Sequence, residues 1–404
     1  KLKCGALGML VVLLGLLWSC APDEGEVSVR GDRPCLETGV YVWQGVEEKA
    51  VMESLGARPR EVGGVCVLAV ELSWTGKRFS EKWTNRRLPE GSGYGVVLRI
   101  DSSASSLEWS EAQRGKLIEV LRAVLVLGPS EVQIDYDCPS RRLAIYVSLM
   151  ADLQATAGST PLCPTVLPTW QSEPEFLRLV SSCPRYVLQV HSLTLPDNAD
   201  DPVVICDPVA AQRAVGRAAS LGVPFRVALP TYGCQVAFDG EGRVLDVISE
   251  DRVRPSHLTA RLASAYADPV ELSKLYHQWM VSPPQGFRGV IWYRLPVASD
   301  QRNWPMETWE AVIKGVEVPG SATIEQKSSS RGRLDILVRN DSKLPARLPE
   351  VIPLGQALIS DGAGPYRAQA VSTGYQLTLR SDAWPWLGPG AQLNAGWART
   401  KLSQ

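Results

Sequence analysis

The stretch EVQIDYDCP, Glu131–Pro139, alternates apolar and polar side chains. The even-numbered positions are apolar: Val132, Ile134 and Tyr136. The odd-numbered positions are polar: Gln133, Asp135 and Asp137. The set of alternate positions to which a residue belongs is here called its parity. Because successive side chains of a strand point to opposite faces, this pattern predicts a strand with one apolar face. Its other face would carry an amide and two carboxylates. Pro139 is expected to end the strand, and a helical pattern follows it.

Apolar strand patterns flank this stretch on both sides and alternate with helical patterns. They are Gly39–Trp43, Val65–Trp74, Tyr94–Asp101, Leu162–Trp170, Arg185–Leu193, Phe225–Tyr232 and Arg288–Leu295. Such alternation over roughly 280 residues predicts an α/β fold, a (β/α)8 TIM barrel, and we assign it to residues 37–316. A doubly wound sheet is disfavoured, because no Gly-rich phosphate turn follows the first strand.

Two insertions interrupt the alternation after the seventh strand pattern. Gly233–Ile248 contains the turn signal Asp239–Gly242 and is predicted to be a hairpin. His257–Val281 is predicted to form one or two helices. A hairpin at this place in the chain would lie over the carboxyl face of the barrel.

The last part of the chain has a different pattern. Helical periodicity ends near residue 315, and short alternating stretches such as Arg333–Val338, Tyr375–Leu379 and Leu393–Ala398 are separated by Pro and Gly. This pattern predicts a small C-terminal β-sandwich over residues 317–404.

The N-terminus has the features of a targeting segment. Lys1 and Lys3 precede the uncharged apolar run Ala6–Trp18, which is too short to span a bilayer comfortably. The run ends close to Cys20 and resembles a bacterial lipoprotein signal, in which that Cys is lipidated. We therefore expect a signal peptide over residues 1–20, a tether over residues 21–36, and a lipid-anchored protein of the bacterial cell envelope. A plain secretory signal is the alternative.

The amino-acid composition limits the classes of partner and ligand that the protein is expected to bind. The formal net charge is −1 and no long basic run occurs, which argues against nucleic acid as a partner. The sequence contains 13 Trp and 5 Phe, which is an unusually high share of Trp among the aromatic residues. Trp rings can stack on sugar rings, although they also fill large hydrophobic cores. The cysteines beyond Cys20 are odd in number and include no CxxC pair, so we assign neither a disulfide nor a zinc site. No cofactor is predicted.

Polar and aromatic residues cluster near the carboxyl ends of the predicted barrel strands, where such barrels keep their active sites. They are Glu71, Asp101, Gln133, Asp135, Asp137, Trp170, Gln189, His191, Tyr232, Trp292 and Arg294. Their convergence predicts a pocket. The alternative is a buried ion network in which Arg99 or Arg226 pairs with Asp135 or Glu71 and only stabilises the fold. His191 with two Asp is the one candidate metal set.

Paired carboxylates suit glycoside hydrolysis, in which one protonates the leaving oxygen and the other assists. Asp135 and Asp137 would lie about 6.6 Å apart between Cα atoms on one strand face. We predict Asp137 as the acid and Asp135 as its electrostatic partner. Gln189, His191 and Tyr232 would orient substrate, and Trp170 and Trp292 would stack on a sugar. Retaining and inverting chemistry both stay open.

Three segments together resemble the bacterial domain-of-unknown-function family DUF3142: VQIDYD at 132–137, LPTW at 167–170 and VLQVH at 187–191. The resemblance covers roughly residues 37–400. It implies an exported protein related to the TIM-barrel glycoside hydrolases. The strand-four segment is also similar to the D-x-D-x-E motif of family 18 chitinases, with Asp137 at the place of the Glu and Gln133 at the place of the first Asp.

These observations predict a glycoside-hydrolase-like enzyme that acts on a polysaccharide by carboxylate acid/base catalysis. A non-catalytic envelope lipoprotein that binds glycan or protein is the alternative. A metal-dependent hydrolase is a third hypothesis.

Overall fold

The structure is a computed structural model. It describes residues 35–43, 48–84, 93–136, 138–191, 203–248, 261–300, 302–316, 322–329, 332–342, 344–380, 383, 385–388 and 390–399. The predicted signal peptide, the predicted lipidation site Cys20 and nearly all of the predicted tether lie outside the described residues, as does Asp137. Of the helices in the described part of the chain, none is long and apolar enough to cross a membrane.

The first twelve strands, in chain order, are β1 (Glu37–Val42), β2 (Gly64–Trp74), β3 (Phe79–Trp83), β4 (Gly95–Ile100), β5 (Glu131–Tyr136), β6 (Leu162–Val166), β7 (Tyr186–Gln189), β8 (Phe225–Pro230), β9 (Gly233–Phe238), β10 (Val244–Ile248), β11 (Arg261–Tyr266) and β12 (Phe287–Tyr293). The helices are α1 (Glu48–Ala57), α2 (Glu111–Leu125), α3 (Leu143–Ala157), α4 (Pro174–Ser181), α5 (Pro208–Ser220), α6 (Pro269–Val281) and α7 (Met306–Lys314).

Eight of these described strands form a closed parallel barrel. Neighbours run in the order β1, β12, β8, β7, β6, β5, β4, β2, and β1 also pairs in parallel with β2. This last pairing joins the two ends of the sheet, so the predicted (β/α)8 barrel is confirmed. β3 adds to β2 in antiparallel orientation outside the ring.

The alternation of the opening stretch decides how β5 sits in the barrel. Val132, Ile134 and Tyr136 are fully buried in the core between the strands and the helices. The other parity points into the barrel, where a small apolar cluster fills the interior. Its buried members are Tyr41, Cys66, Leu68, Val97, Val187, Ala228 and Ile291. One face of β5 therefore packs against the helices, and the other faces the interior of the barrel.

Local sequence signals fix the ends of several elements. The side-chain oxygen of Gln113 accepts a hydrogen bond from the Ser110 backbone N–H at 2.8 Å, as in a capping box. The Asp207 side chain caps α5 by accepting hydrogen bonds from the backbone N–H groups of Val209 and Ala210. The predicted hairpin is present as β9 and β10, with its turn at Asp239–Gly242.

Two predictions about local structure are wrong. Within the described part of His257–Val281, which begins at Arg261, Arg261–Tyr266 is strand β11 and Pro269–Val281 is helical; β11 pairs with β9 to complete a three-stranded sheet. The strand predicted at Leu162–Trp170 is β6, and it ends at Val166 instead of Trp170. Pro168–Ser172 forms a 3₁₀ helix. Pro168 lacks a backbone N–H and favours the start of such a turn.

The C-terminal strands are β13 (Thr323–Ser328), β14 (Arg333–Arg339), β15 (Ala346–Arg347), β16 (Val351–Pro353), β17 (Ile359–Gly362), β18 (Tyr366–Val371), β19 (Gly374–Leu379), β20 (Trp386–Leu387) and β21 (Gln392–Arg399). Within the described residues they form three antiparallel sheets around a common core that includes Ile336, Ile352 and Leu377. The predicted β-sandwich character is confirmed. The barrel and these sheets belong to one compact unit, Leu36–Gln404, and the predicted boundary at residue 316 stays a prediction.

Candidate functional site

A cavity of about 360 Å³, here called the carboxyl-end pocket, opens where the barrel strands end. Its lining is Tyr41, Trp43, Val97, Arg99, Asp135, Thr165, Leu167, Gln189, His191, Tyr232 and Tyr293. These residues belong to the strands of the barrel or directly follow them. The structure therefore brings together four of the predicted site residues: Asp135, Gln189, His191 and Tyr232.

Asp135 is the acidic residue of this lining, and only 4% of its surface is exposed. Its Oδ1 atom accepts hydrogen bonds from Thr165 Oγ1 at 2.6 Å and from Gln189 Nε2 at 2.9 Å. Both donors are neutral. Hydrogen bonds of this kind fix the orientation of a carboxylate without cancelling its charge.

Arg99 and Glu71 form an ion pair beside Asp135. The Arg99 Nε atom lies 3.5 Å from Glu71 Oε2, and about a quarter of each side chain is exposed. Strand register puts the three residues at one level, with Glu71 opposite Arg99 and Arg99 opposite Asp135. The Arg99 guanidinium also lies 5.4 Å from the ring centre of Trp43. Glu71 thus contacts the lining of the pocket through Arg99.

Aromatic rings form one wall of the pocket around Tyr293. The centre of its ring lies 5.3 Å from Trp43, 5.9 Å from Tyr41 and 5.4 Å from Tyr232. His191 stacks on it at 4.8 Å with an angle of 11° between the rings. Trp43, Tyr232 and Tyr293 are partly exposed. Such a wall suits packing against the apolar face of a sugar ring.

His191 is neutral in this setting. Burial disfavours the charged imidazolium and lowers the pKa of His191 to about 4. Its Nδ1 atom is buried and has no hydrogen-bond partner among the described residues. A neutral imidazole can accept or donate one hydrogen bond at either nitrogen, according to its tautomer. His191 is therefore suited to orient a hydroxyl group at neutral pH.

A buried ion cluster lies at the opposite end of the barrel interior. Glu131 pairs with Arg226 and, at 2.7 Å, with Arg185. Burial alone would raise the pKa of Glu131, but the two guanidinium groups and a hydrogen bond from Gln133 lower it to about 2. Glu37 completes the cluster at 2.9 Å from Arg185. In the alternative of a buried ion network, the pairing of Arg99 with Glu71 is present, whereas Arg226 contacts Glu131 and Glu37 instead of Asp135 or Glu71.

Gln133 links this ion cluster to the pocket. Its Nε2 atom donates to Glu131 Oε1 at 2.8 Å, and its Oε1 atom accepts from the hydroxyl of Tyr41, which lines the pocket. Gln133 has no exposed surface. The prediction that it contacts substrate is therefore wrong, and its place is below the pocket floor.

Three further predicted substrate contacts are wrong because the side chains are buried elsewhere. Trp170 is 1% exposed and packs edge-on against Tyr146 in the helix layer. Trp292 is fully buried on the outer face of β12, near Trp304. Arg294 is 2% exposed, with its Nη2 atom 2.7 Å from Asp300 Oδ2. It lies 5.8 Å from the Tyr232 ring centre and supports that ring from outside the pocket lining.

Asp101 has a local structural role. Its Oδ1 atom accepts a hydrogen bond from the Ser103 N–H at 2.8 Å, and it caps the turn Ser102–Ala104. Burial opposes ionisation here, but the hydrogen bonds from Ser103 and Ser73 hold the pKa of Asp101 below its usual value. Asp101 is not part of the pocket lining, so its predicted substrate contact is not supported.

The pocket lining also contains Tyr41, Trp43, Thr165 and Tyr293, which are not among the residues predicted from the sequence. A parity signal was available for each. Tyr41 and Trp43 share one parity at the end of β1, and Tyr293 has the parity of the interior residue Ile291. The role of Asp137 stays a prediction. Among the described residues, no group of three His, Cys, Asp or Glu could hold a metal ion.

Comparison with solved structures returns matches at low sequence identity. The spore cortex-lytic enzyme SleL of Bacillus cereus is 11% identical, with a TM-score of 0.49 over 70% of this chain and 75% of that chain. The C-terminal domain of a putative chitinase from Desulfitobacterium hafniense is 14% identical, with a TM-score of 0.48 over 70% of this chain and 100% of that chain. The chitinase ChiA74 of Bacillus thuringiensis is 9% identical, with a TM-score of 0.43 over 91% of this chain and 98% of that chain.

No curated protein matches the sequence. The family model described as domain of unknown function (DUF3142) matches residues 92–298, just over half of the chain and all of β4 to β12. This match contains the three segments on which the resemblance rested, and it includes Asp135, Thr165, Gln189 and His191 of the pocket. The protein belongs to the DUF3142 family.

Proposed function

We propose that this protein binds a polysaccharide in the carboxyl-end pocket and hydrolyses a glycosidic bond by carboxylate acid/base catalysis. The observation that carries the proposal is the Asp135 carboxylate, which is buried at the aromatic wall and oriented by Thr165 and Gln189. A fixed negative charge at this place would stabilise the positive charge that develops on the sugar ring as the bond breaks.

In this proposal Asp137 is the general acid. It follows β5 directly in the sequence and lies outside the described residues. Its proton passes to the leaving oxygen as the bond between that oxygen and the anomeric carbon breaks. The oxygen of a water molecule then bonds to the anomeric carbon and keeps one of its protons. The other proton of that water returns to the Asp137 carboxylate and restores the acid. Tyr293 and Trp43 would pack on the sugar ring, and His191 and Gln189 would orient its hydroxyls.

The N-terminal segment adds a proposed location. We propose that residues 1–20 are a lipoprotein signal and that the mature protein is anchored to a bacterial membrane at Cys20. The barrel would then meet a polysaccharide in the cell envelope. Labelling of the expressed full chain with a radioactive fatty acid, compared with Cys20→Ser, tests this point.

The proposed chemistry is tested by assaying the purified protein on a panel of polysaccharides. Asp135→Asn and Asp137→Asn are each expected to lower turnover by about a hundredfold or more, because each removes a charge or proton used in the transition state. Asp361→Asn is the matched control, since Asp361 is exposed on β17. Equal turnover in Asp137→Asn would contradict its role as acid. Binding of a polysaccharide without any turnover would favour the non-catalytic alternative.

A further inference from the structure

A second cavity of about 420 Å³, here called the junction cavity, lies where the barrel region meets the C-terminal sheets. One wall is the segment from β11 to α6 and includes Tyr266 and Asp268. The facing wall comes from the C-terminal strands and includes Arg347, Glu350 and Trp386. Residues of both structural regions are therefore needed to form it.

The lining of the junction cavity combines aromatic surface with paired charges. Tyr266 and Trp386 are both partly exposed. Arg347 lies 3.6 Å from Asp268 and 3.2 Å from Glu350, and about half of its side chain is exposed. Exposed pairs of this kind are held weakly, so their oxygens and guanidinium nitrogens can exchange a partner for a ligand hydroxyl. Flat aromatic faces beside planar hydrogen-bonding groups suit a saccharide.

The charge of the junction cavity also favours a neutral polar ligand. Asp268 and Glu350 carry negative charge, and Arg347 and Arg380 carry positive charge, so the charged residues of the lining balance. A phosphate-rich polymer requires an excess of basic groups, which this lining lacks. Hydroxyl groups of a sugar can use both donors and acceptors from such balanced pairs.

A backbone hydrogen bond joins a residue that lines the junction cavity to a residue that lines the carboxyl-end pocket. The N–H of Ala267 donates to the carbonyl oxygen of Tyr232 at 3.1 Å. Tyr232 lines the carboxyl-end pocket, whereas Ala267 lines the junction cavity. The two cavities are therefore neighbours in the fold, which favours a polymer, rather than one or two sugar units, as a shared ligand.

We propose that the junction cavity is a second carbohydrate site, which binds another part of the same polysaccharide that occupies the carboxyl-end pocket. The inference rests on the proposed function for the identity of the ligand. It adds that the substrate is a polymer and that the C-terminal sheets contribute to its binding.

The test uses the full chain and measures binding to insoluble chitin, cellulose, xylan and peptidoglycan. Trp386→Leu and Arg347→Gln are each expected to weaken binding to the retained polysaccharide by about tenfold, since each removes a stacking or hydrogen-bonding group. Trp397→Leu and Arg333→Gln are matched controls; both residues belong to the C-terminal sheets and lie outside the junction cavity. Thermal melting checks that each variant is folded, and Arg347→Gln carries the test if Trp386→Leu does not fold.

Measuring hydrolysis as well as binding distinguishes a failure of the second carbohydrate site from a failure of the proposed hydrolytic function. In Trp386→Leu and Arg347→Gln the ratio of polysaccharide hydrolysis to aryl-glycoside hydrolysis is expected to fall. Unchanged polysaccharide binding in both variants overturns the second site, even if hydrolysis is found; a cavity that instead receives a protein segment gives this result. Weakened binding in the variants, with no hydrolysis by the unmodified protein, overturns the proposed function and supports the second site.

Discussion

Asp135 depends on its neighbours on β6 and β7 for its orientation. Thr165 is 3% exposed and donates the shorter of the two hydrogen bonds to Oδ1. We expect Thr165→Val to lower hydrolysis by about tenfold or more, because a hydrogen bond to a charged group contributes about 1.5–3 kcal/mol. Thr165→Ser keeps the donor and should retain most of the activity. Full activity in Thr165→Val, measured as kcat on the preferred polysaccharide, would show that this bond does not position Asp135.

Single residues at strand ends were the hardest part to predict from the sequence. Gln189 and His191 were identified because their strand keeps strict alternation up to the pocket. Trp292 and Trp170 were assigned wrongly for two different physical reasons. Trp292 has the outward parity of β12, and Trp170 follows a strand that ends earlier, at Val166. A Trp near a strand end is a candidate for stacking only when its parity is that of the barrel interior.

Strand β5 carries both the candidate catalytic carboxylate of Asp135 and Glu131, the central residue of the buried ion cluster. Glu131→Gln removes the closer and more buried of the two carboxylates that pair with Arg226, whose side chain is 8% exposed, and leaves only the more exposed Glu37. Removing the main partner of a buried cation costs about 3–5 kcal/mol of stability. Urea unfolding should show this loss. Glu37→Gln is the control, because Glu37 is 47% exposed and its pairs should contribute about 1 kcal/mol or less. Similar unfolding midpoints for the two variants would contradict the central place of Glu131.

Elements with strong periodicity were predictable, and elements that depend on distant pairing were not. The barrel strands are apolar on the face that meets the helices, so their sequences alone mark them. The sequence around β11 predicts a helix, whereas in the structure each residue of β11 pairs with β9, more than twenty positions earlier in the chain. β3 has only partly buried or exposed residues and depends on β2 for its backbone hydrogen bonds. Local sequence carries little of that information.

At the scale of the whole molecule, the closed barrel followed from counting alternations, whereas the junction cavity could not be predicted. Its lining comes from positions as distant in sequence as Tyr266 and Trp386. Trp386 also packs against the core of the barrel region, although it belongs to the two-residue strand β20. Contacts between separate regions of a chain leave no periodic signal in either region. Only the three-dimensional structure brings these aromatic and charged residues together.

Acid should destabilise the folded protein in two separate pH ranges. The pKa of His191 is lowered from 6.5 to about 4 in the folded state. Below about pH 6.5 the unfolded chain takes up a proton that the folded protein refuses, so the free energy of unfolding falls until about pH 4. The loss from this residue is at most about 3 kcal/mol. The pKa of Glu131 is lowered from 4.5 to about 2, so its stabilisation is lost as the pH falls through that lower range.

Urea unfolding across these ranges distinguishes the two groups. His191→Gln should flatten the dependence between about pH 6.5 and pH 4, whereas Glu131→Gln should flatten only the dependence below about pH 4.5. His277→Gln is the control for the loss of an imidazole, since His277 is on α6 and bonds to the Val312 carbonyl, away from the pocket. If His191→Gln keeps the slope of the unmodified protein in the upper range, the pKa of His191 is the same in the folded and the unfolded protein. The imidazole would then become a cation beside Asp135 below about pH 6.5, and the orienting role proposed for a neutral imidazole would be lost there.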